Sequence, residues 1–283
     1  PNSAGALVNA IAVLPNGNIL IAGDFTLVNS IPRKYIARFL PNGTLDTTFD
    51  PGTGPNGAIT DLTVQPDGKI LIAGSFTSIA SMARPRIARL NPDGSLDTSF
   101  DPGTGIASGS TINTFLLPGD GRILIAGSFS TYNGNTCGNI ARLTAQGAFD
   151  ATFNAGTGFF PGVSNCAQQP DSRLVLSGGF ATYQSASRSR VARLGLDATL
   201  DNTFVPTTGA NGQVTAQSLA PDGSILIAGL FTAYNSTGRK RLALIRGTRR
   251  VAVKVLLEGP FTGSTMTDAL RTLPSFPLTE PFT

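Results

Sequence analysis

The 283-residue chain carries 21 Lys and Arg against 17 Asp and Glu, a formal net charge of +4, with charged residues at only 13% and apolar residues at 41%. That balance excludes a disordered chain and a coiled coil. The 33 Gly and 19 Pro are spread along the whole length and break long helices, which leaves short strands joined by tight turns and predicts an all-β fold. No run of about 18 apolar residues exists to span a bilayer as a helix. The absence of His removes the commonest general base and a common metal ligand.

Taken from the N-terminus, Pro1 to Leu7 reads as the loop that follows a fourth strand, with no initiator Met or signal peptide, so the chain is expected to be a processed product or a piece of a longer protein. A repeat then sets in. The strand ending at Gly23 recurs at Gly74, Gly127, Gly178 and Gly229, at intervals of 51, 53, 51 and 51 residues. The Ile/Val-Ala-Arg marker places Arg38, Arg89, Arg142 and Arg193 at the same spacing, with Leu244 in the fifth register, and a third marker places Phe49, Phe100, Phe153 and Phe204. The copies run over about 1–50, 51–101, 102–154, 155–205 and 206–250, and the two-residue insertion falls between Gly105 and Ile112.

Within the second copy, strand one near Ile59 to Val64 turns at Gln65-Pro66-Asp67-Gly68 into strand two, Lys69 to Phe76. A loop, Thr77 to Arg86, leads to strand three, Ile87 to Leu90. A turn at Asn91-Pro92-Asp93-Gly94 leads to strand four, Ser95 to Phe100. Four strands in about 51 residues, five times over, predict a β-propeller of five four-stranded repeats with a C-terminal extension at 251–283. In that extension Val251 to Glu258 reads as one long strand and Thr267 to Arg271 as a helical turn. The strand either closes a five-bladed ring from the outer edge of blade five, or the chain is an arc of a larger ring. Closure is the favoured expectation, because an open arc would leave apolar blade faces uncovered.

The wording of the repeat, Pro66-Asp67-Gly68-Lys69-Ile70-Leu71-Ile72-Ala73-Gly74-Ser75-Phe76 and then Ile87-Ala88-Arg89-Leu90-Asn91-Pro92-Asp93-Gly94-Ser95-Leu96-Asp97, resembles the delta-60 repeat, a propeller repeat of large secreted bacterial proteins. The likeness covers residues 1 to about 246. It implies architecture and a secreted or cell-surface setting, not an activity. The stretches Val255 to Phe261 and Pro277 to Phe282 resemble the start of a module that follows such repeats in secreted proteins of Bacteroidota.

Most Asp residues occupy repeat positions, as turn residues or as part of the fourth-strand marker, which argues against a catalytic carboxylate pair. Hairpin counting sets Arg38 opposite Asp46, Arg89 opposite Asp97, Arg142 opposite Asp150 and Arg193 opposite Asp201, as structural pairs. Arg33, Arg84, Arg188 and Arg239 form a basic column in the loop before strand three, with Lys34, Arg86, Arg190, Lys240 and Arg241 nearby. These residues either give one face a basic rim for an acidic polysaccharide or other polyanion, or tie each loop to a carbonyl or to Asp50 or Asp101. Tyr132, Tyr183 and Tyr234 share one register with Val28 and Ile79, so they either stack on a sugar or pack. Cys137 and Cys166 depart from the repeat in adjacent copies, and read either as a disulfide between blades three and four or as two separate buried thiols. Two Cys without His make zinc improbable, and no cofactor is expected. Nothing reads nucleic acid. The expected role is a non-enzymatic binding or structural module, with partners among polysaccharides, other domains or copies of the parent protein. A filament subunit and a polysaccharide-acting enzyme are the competing readings.

Overall fold

The computed structural model describes residues 6–246, all within one compact unit, Pro1–Thr248. The second unit, Arg249–Thr283, lies outside the described residues, and with it the strand expected at Val251 to Glu258, the helical turn and the resemblance to a following module. The chain is an all-β β-propeller built of five repeats. Each repeat forms an antiparallel three-stranded sheet, with the strand that ends in the marker glycine at its centre. Blade one is Val8–Val13, Ile19–Gly23 and Ile36–Phe39; blade two is Ile59–Val64, Ile70–Gly74 and Ile87–Leu90. Blade three is Thr111–Leu116, Ile123–Ser128 and Ile140–Leu143; blade four is Val163–Gln168, Leu174–Gly178 and Val191–Leu194; blade five is Val214–Leu219, Ile225–Gly229 and Leu242–Ile245. The first strand of each blade packs beside the first strand of the next, which makes it the innermost strand.

The fourth strand departs from expectation. Among the described residues it is reduced to single bridges, Phe39 with Leu45, Leu90 with Leu96, Leu143 with Phe149 and Leu194 with Leu200. The reason is local: after the Asp97 amide donates to the Arg89 carbonyl, the Phe100 amide donates back to the Asp97 carbonyl, and the chain turns before a ladder can grow. The loop from Thr77 to Arg86 also holds more structure than expected. Ser78–Ile79 pairs with Met82–Ala83 around Ala80-Ser81, both at positive φ, 48° and 66°, which is the backbone of a type I′ hairpin. All five copies repeat it, and Asn133-Gly134 in the third copy is the favoured dipeptide for that turn.

The marker glycine has a structural cause. In each blade the innermost strand shifts register opposite it, as between Ile59 and Asp61 against Gly74 and Ala73. A Cβ on Gly23, Gly74, Gly127, Gly178 or Gly229 would come closer than 3.0 Å to a backbone carbonyl oxygen of that bulged strand. Only glycine allows the bulge to close against the central strand.

The core lies between blades. One face of each sheet, called here the forward face, packs on the back face of the next: Leu20, Ala22 and Ile36 of blade one meet Leu62, Ile70 and Ile72 of blade two. The same mating recurs between blades two and three, three and four, and four and five. Ring closure by five blades, the favoured expectation, draws on the strand at Val251 to Glu258 and so falls outside the described residues. No apolar cluster among them joins blade five to blade one. Leu242 and Leu244 of blade five are 54% and 57% exposed, and Ile11 and Val13 of blade one 65% and 70%.

Candidate functional site

Most of the charge in the repeat is spent on architecture. The Nε atoms of Arg38, Arg89, Arg142 and Arg193 donate to Oδ2 of Asp46, Asp97, Asp150 and Asp201 at 2.8, 2.7, 2.8 and 2.7 Å. Each guanidinium also lies over the marker Phe, with Arg89 5.1 Å from the Phe100 ring centre. From blades one, two and three the arginine reaches across to the next blade, to the carbonyls of Pro92, Ala145 and Leu196. The second oxygen of each Asp accepts from the amide and hydroxyl two residues on, as Asp97 does from Ser99. Burial alone would push the Asp97 carboxyl up. The hydrogen bonds from Ser99, Lys69 and Arg89 outweigh that and hold it well below the usual carboxylate range.

The arginine column is absorbed too. Arg33, Arg84, Arg188 and Arg239 each donate from Nη1 to the carbonyl of the preceding residue, at 2.9, 2.7, 2.7 and 3.1 Å, and Arg188 adds a bond to Asn202. Arg84 and Arg188 are buried, so only Arg239 of the column is openly exposed. The tyrosine column packs: Tyr132 and Tyr183 are fully buried in the cores between blades, and donate to the Gly147 and Ala198 carbonyls at 2.7 and 2.6 Å, while Tyr234 is half-buried. Stacking on a sugar is ruled out for the two buried rings, because neither presents a face to solvent. The expected disulfide is corrected as well. Cys137 and Cys166 are free thiols; Cys137 belongs to the core between blades two and three and Cys166 packs against the core between three and four, so the sheet of blade three separates them. Burial pushes both thiols up to about 12, away from reactivity.

Cavities open at both ends of the blades. The larger, about 620 Å³, lies where the first and second strands turn, between blades one and two, and is lined by Val13, Pro15, Pro66, Pro92 and Arg38. It is largely apolar, and its one cation is already engaged by Asp46, Pro92 and Phe49. The smaller, about 290 Å³, opens at the opposite end, where the innermost strands begin. Asn113, Ser128, Ser164, Gln213 and Arg190 line it, with Pro161 and Gly162, and no carboxylate does. Arg190 sits directly before the third strand of blade four at φ 71°. It donates from Nη1 to the Gly179 carbonyl, while its buried Nε has no partner among the described residues. A cation surrounded by neutral hydrogen-bonding groups and no anion suits a carboxylate or another small anion. The repeat spends none of this charge on an ion pair among the described residues.

Among the described residues Asp61 is the one strand carboxyl outside the repeat pattern. It sits on the innermost strand of blade two against blade three, and burial raises it to about 6, with backbone hydrogen bonds from Leu62 and Phe115 opposing. The folded state therefore binds a proton that the unfolded chain has released above about pH 4, and stability falls as pH rises from about 4 to about 6. Asp61→Asn is expected to raise stability by about 3 kcal/mol at pH 8 and by almost nothing at pH 4. Thermal melts at both pH values check this, and an equal gain at the two would exclude it.

Comparison with known proteins reaches the same architecture. A family model described as a domain of unknown function (DUF5122) beta-propeller matches residues 14–49, 65–100, 119–153, 169–204 and 220–246. The chain belongs to this beta-propeller family. The first four matched segments of the DUF5122 chain run from the turn after the innermost strand to the marker Phe, so the ion-pair register lies inside them, and all five contain the central strand. No curated protein matches the chain. Among solved structures, the extracellular domain of BT4673 from B. thetaiotaomicron superimposes with a TM-score of 0.52 at 14% identity, over 85% of this chain and 27% of that one. The WD40 beta propeller domain of Doa1 gives 0.53 at 13%, over 86% and 64%. A catalytically inactive histidine variant of virginiamycin B lyase from Staphylococcus aureus gives 0.51 at 14%, over 88% and 72%. The chain thus spans about a quarter of the BT4673 extracellular domain and just under two thirds of the Doa1 domain, and likeness at these identities concerns the fold.

Proposed function

We propose that the chain is a non-enzymatic binding module of a secreted or cell-surface bacterial protein, and that its axial pocket takes a carboxylate of an acidic polysaccharide. The observation that carries this reading is Arg190, a half-buried cation without an anionic partner in a pocket of amide and hydroxyl groups. Lys34, Lys240 and Arg241 are exposed and add to the basic balance of a chain with net charge +4. The extracellular setting draws support from the fold likeness to extracellular domains of B. thetaiotaomicron proteins assigned to one-component and hybrid two-component systems. Binding without turnover draws support from the repeat Asp residues, which are engaged in turns and ion pairs, and from a sequence without His.

Isothermal titration with a short oligo-uronate checks the proposal. Binding to the wild-type protein is expected, and Arg190→Gln should weaken it at least about tenfold, since a charge-assisted bond contributes about 1.5–3 kcal/mol. An uncharged oligosaccharide of the same length should bind both proteins equally weakly. Equal affinity of the two proteins for the uronate, or its depolymerisation by the wild-type protein, would overturn the reading.

A further inference from the structure

We propose that Phe160 is a stacking platform at the rim of the axial pocket, on which a saccharide lays one sugar ring while the carboxylate of the adjoining unit meets Arg190. The proposal rests on the reading of that pocket as a site for an acidic polysaccharide, and names the residue that would recognise the sugar itself. Among the described residues Phe160 is the one aromatic ring that is openly exposed, at 74%. An aromatic face in water, beside a pocket of amide and hydroxyl groups, matches a pyranose, which has an apolar face and a polar edge. A lone exposed hydrophobic residue is ordinary. This one displaces a hydrogen-bonded side chain from a repeat position. The bridges of Pro55 with Ile79 and Ala210 with Tyr234, and the pairing of Phe159 with Tyr183, set Asn56, Asn211 and Phe160 in one register. Asn56 accepts from the Thr77 and Ser78 amides and Asn211 from those of Thr232 and Ala233, so each ties down its hairpin. Copy four gives up those bonds and puts an apolar ring in solvent.

The backbone beneath the ring is held on both sides. Phe159–Phe160 pairs as a strand with Thr182–Tyr183, and the Ala181 amide donates to the Phe160 carbonyl. Asn139, directly before the third strand of blade three where other blades have Arg86, Arg190 and Arg241, donates from Nδ2 to the carbonyls of Phe159 and Pro161. The Phe159 ring points inward, 4.5 Å from those of Phe180 and Tyr183, so the alternation of a strand turns Phe160 outward. The next residue, Pro161, is already a wall of the pocket, together with Gly162, Gly179 and Arg190. A ring fixed in this way loses little freedom when a ligand covers it, which favours binding.

Titration of the full chain with a short oligo-uronate over a range of salt concentrations, using three variants, tests this. Phe160→Ala should weaken binding at least about fivefold at every salt concentration, because stacking on the ring is not screened. Arg190→Gln should instead flatten the fall of affinity with salt. The chain has no Trp, so Phe160→Trp supplies a sole indole, which should rescue the binding lost in Phe160→Ala and shift its emission as the sugar covers it. Because Phe160 is exposed, circular dichroism melts should show both of its variants folded. Wild-type affinity in Phe160→Ala, or an indole emission that saturating ligand leaves unchanged, overturns the role of the ring while the reading of Arg190 stands. Unaltered affinity and salt dependence in Arg190→Gln, with Phe160→Ala weakened, upholds the ring and overturns the reading of Arg190. A wild-type protein that does not bind the oligo-uronate overturns both.

Discussion

Gly74→Ala is expected to destabilise the protein by about 3 kcal/mol, which in a domain of this size lowers the melting temperature by roughly 6–12 °C. The added methyl has no room, because the bulged innermost strand brings the Ala58 carbonyl and the Ile59 Cα against the glycine. Relief requires either that the bulge open, breaking the pairing of Ile59 with Gly74, or that blade two draw away from its neighbours. The strain is steric, since no left-handed backbone is involved at Gly74. Gly43, by contrast, has open space around it, and its alanine variant meets only the cost of a positive φ of 82°. Differential scanning calorimetry of the two variants separates the causes. A Gly74→Ala protein that melts within 2 °C of wild type, by roughly the same conversion, would mean that the bulge does not constrain this position.

Removal of Arg89 is expected to cost about as much, near 3 kcal/mol, because it leaves Asp97 buried with Lys69 as its remaining cation and strips a cation from the Phe100 ring. The pH dependence carries the sign of the same interaction. Asp46, Asp97, Asp150 and Asp201 are all held below the ordinary carboxylate range, so their contribution is complete above about pH 4 and is lost as pH falls through the folded-state values. The wild-type melting temperature should therefore drop steeply between about pH 4 and pH 2. The Arg89→Ala protein should start lower and lose less over that interval, because the proton that Asp97 resists in the wild type is taken up more readily. Parallel curves for the two proteins would count against the pairing as a source of stability. Copy five carries Leu244 in the arginine register, which shows how the same sheet is built without the cation.

The repeat made the blade legible because its causes are local and periodic. Alternating apolar residues, turn glycines and the spacing of Arg and Asp across a short hairpin are properties of neighbours in the chain, and the strands fall where those patterns end. The reduced fourth strand was harder to read. The Asp-x-Ser/Thr-Phe wording marks a side-chain turn as clearly as a strand, and Asp97 accepting from Ser99 ends the ladder. The small hairpin after strand two hid behind Ala80-Ser81, and only Asn133-Gly134 spelled its turn in the preferred residues. The fate of the loop arginines and tyrosines depended on how each loop folds back within its own copy, over a span that no short motif reveals: Tyr132 meets its acceptor only because its hairpin folds toward the Gly147 turn. The same holds for Cys137 and Cys166, whose departures from the repeat looked paired until the sheet between them was in place. Arg190 was visible as one basic neighbour among several, and its distinction is the polar pocket, free of carboxylates, that it lines.

Hydrogen–deuterium exchange with and without a short oligo-uronate tests the central claim, that the repeat consumes its own charges and leaves the axial pocket as the place for a ligand. Protection is expected in the segments that carry Asn113, Ser128, Ser164, Arg190 and Gln213, at one end of the propeller. Protection confined to the opposite end, around Val13 to Asn16 and Pro66, or exchange unchanged at every segment under saturating ligand, would contradict it.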